Sequence, residues 1–438
     1  MSHRTPMAGA MAASLVLTFG GVGALAFRPA ASSQTVKVIT WVNPPAVTIL
    51  KKINAEFHHK YPNIRVIFQT AANRAGPYAT LESTSIRGNT VDIMGTGPIQ
   101  PLPPHPSVNN ESNEQLWATH GLYLRLNNQP WVKQFMPNIN RTETYQGKLL
   151  GLVTGTYTQG VFYNKVMFAK YHLSVPHTYR AFIALCQNLK RHGVTPLFDG
   201  LQNVGPGYLG FIYEPLMQEV WRPHVPGANL NRALSTGQTT WTSPYFIKIM
   251  QREKTIMRYL EPNFQGVPWQ SMPGDFADGK AAMLLDGSWD LAAVHTANPK
   301  MKVGFFPLPG SNQAKYNVPM VGGDLTWVVL AHGPNHAAAF KWLNFFSSPK
   351  IYQQYVDYVG ITPSRIGGTY HSFAKNVLGK WFGKGVNSAV VFPDLPASGP
   401  YWDQSSNWPK LQLDVYLGKY TPKQVAHMYQ QNWPQVIR

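Results

Sequence analysis

Thr35-Val36-Lys37-Val38-Ile39-Thr40-Trp41, then residues 46–61, then Ile64-Arg65-Val66-Ile67-Phe68 decide the fold. The first and third stretches are short apolar runs with β-branched residues, the composition of strands. Between them Val47, Leu50, Ile53, Phe57 and Tyr61 recur at helical spacing, and Pro62-Asn63 stops the helix. Residues 78–87 read as a second helix and 91–94 as a third strand. Strand, helix, strand, helix, strand is the pattern of a parallel sheet with crossover helices. Such sheets gather ligands at the carboxyl ends of their strands, where this reading places Trp41, Asn43 and Asp92.

Further along, residues 161–164, 280–285, 302–306 and 325–330 read as strands. Helices are expected over 179–192, with Thr178 as N-cap and Gly193 as stop, and over 207–221, 245–259, 288–295, 336–346 and 350–359. From Gly367 onward the aromatic, proline and glycine content gives no legible pattern. The chain has 438 residues, two to three times the usual size of one domain, so two lobes are the default expectation. With 44% hydrophobic residues it can bury sizeable cores, which excludes global disorder.

Lysine and arginine number 38 against 20 acids, a formal charge of +18. No basic block or helical stripe accompanies it, so nucleic acid is not the expected partner. A shortage of carboxylates also suits acidic surroundings, because few salt-bridging carboxylates are then lost to protonation. The single cysteine, Cys186, excludes a disulfide framework, and its apolar helical neighbours mark it as a buried thiol. Residues 1–33 read as an export signal: Arg4, an uncharged apolar run, then Ala24-Leu25-Ala26 as a cleavage site. No other stretch approaches the roughly 20 apolar residues of a membrane helix. An exported chain, periplasmic or at the cell surface, is expected.

Enzyme motifs are missing. There is no H-E-x-x-H zinc helix, no phosphate loop and no G-x-S-x-G elbow, and neither metal nor cofactor is expected. Asp286 and Asp290, four apart, could be a glycosidase pair. Their setting, a strand end and the first turn of a helix where negative charge is favoured, gives the stronger structural reading. Aromatic residues at turns and strand ends, among them Trp41, Tyr157, Trp269 and Trp289, with Asp92, Asp290 and Asp324 nearby, form a polar–aromatic set that suits sugar rings and hydroxyls.

Phe276-Ala277-Asp278-Gly279-Lys280-Ala281-Ala282-Met283, an apolar run, then Gly287-Ser288-Trp289 resembles the extracellular solute-binding proteins of carbohydrate-uptake ABC transporters, the group of maltose-binding protein. Val303-Gly304-Phe305-Phe306-Pro307, Gly322-Gly323-Asp324 and Tyr145-Gln146-Gly147-Lys148 add to the likeness in the family's order. The resemblance implies a two-lobed α/β, periplasmic-binding-protein-like fold, each lobe a mostly parallel sheet flanked by helices. It implies lobe 1 at 34–151 plus 306–331, and lobe 2 at 152–305 plus 332–438. A sugar or oligosaccharide would bind between the lobes, through Trp41, Asn43, Asp92, Tyr157, Trp269, Trp289, Asp290, Gly323 and Asp324. The partner would be the membrane permease of an importer, and the protein a monomer and no enzyme. The chain lacks the cysteine of lipid-anchored members. Its charge leaves a sugar acid or sugar phosphate open, and a polyamine ligand or a secreted glycoside hydrolase remain the alternatives.

Overall fold

The computed structural model describes residues 34–72, 77–97, 99, 113–367, 371, 373–387 and 408–433. The expected export signal at 1–33 lies outside them. Strands β1 (Gln34–Trp41), β2 (Ile64–Ala71) and β3 (Ile93–Thr96) follow the pattern expected from the sequence, with helix Pro44–Lys60 between the first two and helix Ala79–Gly88 before the third. β1 runs parallel to both neighbours, with Val36 opposite Val66 and Val38 opposite Ile93. After a small hairpin, β4 (Thr144–Tyr145) and β5 (Lys148–Leu149), strand β6 (Gly151–Val153) joins this sheet through the later β12 (Thr326–Val329), in the order β2-β1-β3-β12-β6.

The second sheet is built on the long β7 (Gly155–Asn164). Its other members are β8 (Leu197–Phe198), β9 (Met283–Gly287), β10 (Val303–Phe306), β11 (Met320–Gly323), β13 (Thr362–Pro363) and β14 (Val386–Asn387). The helix Tyr179–Arg191 begins where expected: the Thr178 hydroxyl accepts the Ala181 N–H at 3.3 Å. Its Cys186 is fully buried, and burial pushes the thiol well up. The tail that gave no pattern contains helices Phe373–Leu378, Trp408–Tyr416 and Pro422–Asn432, the last started by a Thr421–Gln424 capping box.

Each sheet has its own apolar core. Val36, Val38, Ile53, Phe57, Trp327, Trp342 and Phe346 belong to the first. Val161, Leu189, Ile212, Trp221, Trp241 and Tyr429 belong to the second. The chain passes between them at Thr154, at Asp324-Leu325 and at Gly360-Ile361. Only the first of these is where the sequence expectation put it.

The lobe boundaries are therefore corrected. Residues 306–323 stay with the second sheet, because β10 and β11 both hydrogen-bond β7: Val303 lies opposite Asn164 and Met320 opposite Gln159. Helices His336–Phe346 and Pro349–Val359, expected in lobe 2, belong to lobe 1, because their apolar faces (Trp342, Phe346, Tyr352, Val359) fill the first core. Among the described residues, 34–72, 77–97, 99, 113–153 and 325–361 belong to lobe 1 and 155–323, 373–387 and 408–433 to lobe 2, while after β13 the chain at Arg365 bridges back to Phe135 of lobe 1.

Candidate ligand cleft

The parallel strands of lobe 1 point their carboxyl ends, Trp41, Ala71 and Thr96, in one direction. Trp41 is half-buried there and meets Tyr78 edge-on, with ring centroids 5.8 Å apart. Two of the expected residues do other work. The Asn43 side chain accepts the Ala46 N–H at 3.0 Å and caps the helix Pro44–Lys60. Asp92 precedes β3 instead of ending it, so it lies at the opposite end of the sheet from Trp41. It is fully buried, and its carboxylate accepts N–H groups from Lys37, at 2.8 Å, and from Asn335. Asp92 ties two segments of lobe 1 together, and its expected place in the cleft is corrected.

In lobe 2 the sequence Gly287-Ser288-Trp289 turns the chain out of β9. A Cβ at Gly287 would lie 2.2 Å from the Trp289 ring, so only glycine lets the ring fold back over this turn. Tyr157 meets Trp289 edge-on at 4.8 Å, and Phe211 lies against it at 6.0 Å. Gly322 in β11 clears the space for Tyr157, since a Cβ there would sit 2.4 Å from the phenol oxygen. Half-buried Trp289 packs against the apolar cores of both lobes. Trp269 is 6% exposed in a smaller core of lobe 2 against which Trp289 also packs, tilted on Tyr208 at 5.3 Å.

Gly323 and Asp324 occupy the second crossing. The Asp324 N–H donates to Gly155 O at 2.8 Å, and the Thr154 N–H donates to Leu325 O at 2.9 Å. The Thr154 hydroxyl reaches the Asp324 carboxylate at 3.3 Å. Tyr352 OH donates to Thr154 O at 2.6 Å, and Ser364 Oγ donates to Val153 O at 2.6 Å. All three crossings thus meet in one hydrogen-bonded knot. Asp324 is half-buried in it, and desolvation pushes its carboxyl up to about 6.

Asp290 is buried beside Asp286. Desolvation pushes Asp290 up to about 7, and desolvation together with Asp290 pushes Asp286 well up. Among the described residues no group of histidine, cysteine or carboxylate side chains is arranged to hold a metal. No helix there is long and apolar enough to cross a membrane. A cavity lined by Glu56, Lys60, Phe345 and Lys350 lies on the outer face of lobe 1 and holds none of the expected site residues.

The structure thus brings Tyr157, Trp289 and Asp290 together, with Gly323 and Asp324 at the hinge. It leaves Trp41 on the facing lobe, keeps Trp269 in a core that Trp289 also packs against, and gives Asn43 and Asp92 structural work. Phe211, Thr154 and Tyr352 were missed. Phe211 and Tyr352 come from other elements and no local motif marks them, while Thr154 lies in the crossing just before Tyr157.

Residues 43–353 match the family model described as bacterial extracellular solute-binding protein. The multiple sugar-binding protein of Streptococcus mutans serotype c is 23% identical over 317 residues, covering 71% of this chain and 70% of that one. A sugar transporter from Bacillus licheniformis, solved in complex with stachyose, superposes with a TM-score of 0.73 at 16% identity, covering 92% of this chain and 100% of that one. SBP RafE in complex with raffinose gives 0.72 at 18% identity, covering 91% and 98%. With the family model matching well over half of its length and the two-lobed architecture reproduced, the chain belongs to the bacterial extracellular solute-binding protein family.

Proposed function

We propose that this chain is the extracytoplasmic binding component of an ABC importer and that it takes a sugar or oligosaccharide between its lobes. One observation carries the reading: Trp289, framed by Tyr157 and Phe211, stands against the cores of both lobes at once. A flat aromatic surface suits the C–H face of a sugar ring, and the names of the relatives point to the same chemistry. The chain is read as exported, monomeric and recognised by the permease of its importer.

The mechanism is hinge closure. Three crossings joined at Thr154, Asp324 and Ser364 let the lobes rotate while their cores stay intact. A sugar held by one lobe gains further contacts from the other, and only that extra affinity can drive closure. No bond is made or broken.

Calorimetric titration with raffinose and stachyose, joined to small-angle scattering, tests the proposal. Expected are saturable binding, a smaller radius of gyration with sugar, and sugar recovered unchanged. Trp289→Ala should weaken binding by at least tenfold while far-UV circular dichroism is kept. Sugar hydrolysis, or full affinity in the variant, overturns the reading.

A further inference from the structure

We propose that the far pole of lobe 1 is a docking surface for an anionic lipid bilayer, where the ammonium groups of Lys60, Lys341 and Lys350, with Arg65 beside them, meet phosphate headgroups. The proposal goes beyond the sugar reading and does not depend on which solute the cleft takes.

The charges of this protein are sorted by depth. Among the described acids only Asp278 is exposed, and it belongs to lobe 2. Exposed lysines and arginines cover both lobes. A net charge of +18 with the acids withdrawn presents an outer surface of one sign. Such a surface is drawn to a negative membrane, and each lysine or arginine near the headgroups strengthens the attachment.

One region gathers these cations around a cavity. The helix Pro44–Lys60 starts at the cleft and runs 17 residues away from it, about 25 Å, so its last turn, His58-His59-Lys60, lies at the far end of the lobe. β1 has the same direction, starting at this end with Gln34 and finishing at the cleft with Trp41. A cavity of about 460 Å³ opens here between exposed Lys60 and His59 on one helix and exposed Lys350 on another, over buried Phe345 and Ile351. Lys60 Nζ stands 5.6 Å from the ring centroids of both Tyr61 and Phe345, and Lys341 Nζ stands 5.1 Å from that of Tyr61. The rings thus hold two ammonium groups side by side at the surface. His58 Nδ1 lies 3.0 Å from Ile64 O, which sets exposed Arg65 next to the same helix end. The one acid lining the cavity, Glu56, is half-buried and engaged with Lys52 at 4.0 Å and with Gln354 at 3.5 Å. A bilayer, unlike a compact anion, is broad enough to meet all these cations at once.

Charge alone would not choose this region, because lobe 2 is basic as well. The path of the chain chooses it. The Gln34 N–H donates to Asn63 O at 2.8 Å, so the residue that follows the expected export signal is fixed beside the turn that joins Lys60 to Arg65. Export therefore leaves this pole nearest the lipid, and attachment there keeps the cleft free.

Co-sedimentation of the exported protein with vesicles tests this. Vesicles of phosphatidylglycerol mixed with phosphatidylcholine should bind it at low salt and release it as ionic strength rises, and vesicles of phosphatidylcholine alone should not bind it. Lys60→Glu with Lys350→Glu should weaken binding by at least about tenfold. Lys190→Glu with Arg191→Glu makes the same change of net charge on lobe 2, and should weaken it by less than about threefold. No binding to the anionic vesicles, equal binding to the neutral ones, or equal losses in the two pairs overturns the proposal; equal losses would mean attraction by net charge without a docking face. Capture of soluble inorganic polyphosphate with no vesicle binding overturns it too, in favour of a soluble polyanion. If the glutamate pair does not fold by far-UV circular dichroism, Lys60→Gln with Lys350→Gln, set against Lys190→Gln with Arg191→Gln, decides on the same criterion. Raffinose binding is measured separately; its absence would sink the sugar reading for that probe and leave the vesicle result standing.

Discussion

The two lobes bury carboxyl groups in opposite ways. In lobe 1, Asp92 accepts two backbone N–H groups, and Glu143 accepts the Ile99 N–H at 3.0 Å and the Thr142 hydroxyl at 2.9 Å. These carboxyls serve as fasteners. In lobe 2, Asp199, Glu253 and Asp286 are buried with few donors or none, and desolvation pushes each well up. Lobe 2 also has one counter-example. Burial alone would raise Asp414, but hydrogen bonds from Lys410 and Lys419, both at 2.8 Å, hold it below its usual value. Burial does not by itself decide whether a carboxyl is charged; the donors around it do.

The sharpest way to break this comparison is Asp92→Ala. It would leave two buried N–H groups of lobe 1 without an acceptor, and should cost about 3–5 kcal/mol by urea denaturation. A loss under about 1 kcal/mol would mean that those N–H groups are not held as described.

The second test is pH. A carboxyl whose folded pKa lies above its unfolded value supports the fold below the unfolded value, and that support is lost as pH climbs through the folded value. For Asp290 the window runs from about 4 to about 7. Stability should therefore fall by on the order of 3 kcal/mol across that window, with lobe 2 responsible. Asp414 acts in the opposite sense, since its support disappears as pH drops through its lowered value. Denaturation curves at a series of pH values check this. A maximum near pH 7 to 8 would contradict the picture of protonated carboxyls in lobe 2.

Gly287→Ala probes the cleft side of lobe 2. Its Cβ would meet the Trp289 ring, so the ring must shift, at a cost of about 1–3 kcal/mol and with loss of sugar affinity. Unchanged affinity would separate the turn from the site. The smallest effect is expected for Asp286→Asn, which replaces a protonated acid by an amide of the same shape. It should cost under about 1.5 kcal/mol in mild acid by urea denaturation, well below Asp92→Ala. Equal costs for the two would erase the contrast between the lobes.

The surface has the complementary pattern. Among the described acids only Asp278 is exposed, while most lysines and arginines are. The acid-poor composition was legible as a suitability for acidic surroundings.

Much of lobe 1 could be read directly because its β1–β3 unit is local in sequence: strand, helix and strand follow one another within 40 residues, and periodicity reports each of them. The Gly287-Ser288-Trp289 turn was legible only through its resemblance to the family's pattern, and the structure supplies the reason for its glycine, since the ring folds back on its own chain. Asp92 was misplaced by a boundary error. With the strand read from Val91 instead of Ile93, a residue before the strand was taken for one at its ligand-facing end.

Length and periodicity by themselves led to two lobes and to the β1–β3 unit, and the apolar neighbours of Cys186 to a buried thiol, whereas Trp289 was singled out by the resemblance of Gly287-Ser288-Trp289 to the family's pattern. The tertiary structure decided which lobe each late segment joins: residues 306–323 are held by the pairing of β10 and β11 with β7, and helices His336–Phe346 and Pro349–Val359 by packing into the first core. It also decided which donors the buried acids meet: Asp92 meets Lys37 and Asn335, both from distant parts of the chain, and Asp286 meets the neighbouring Gly287.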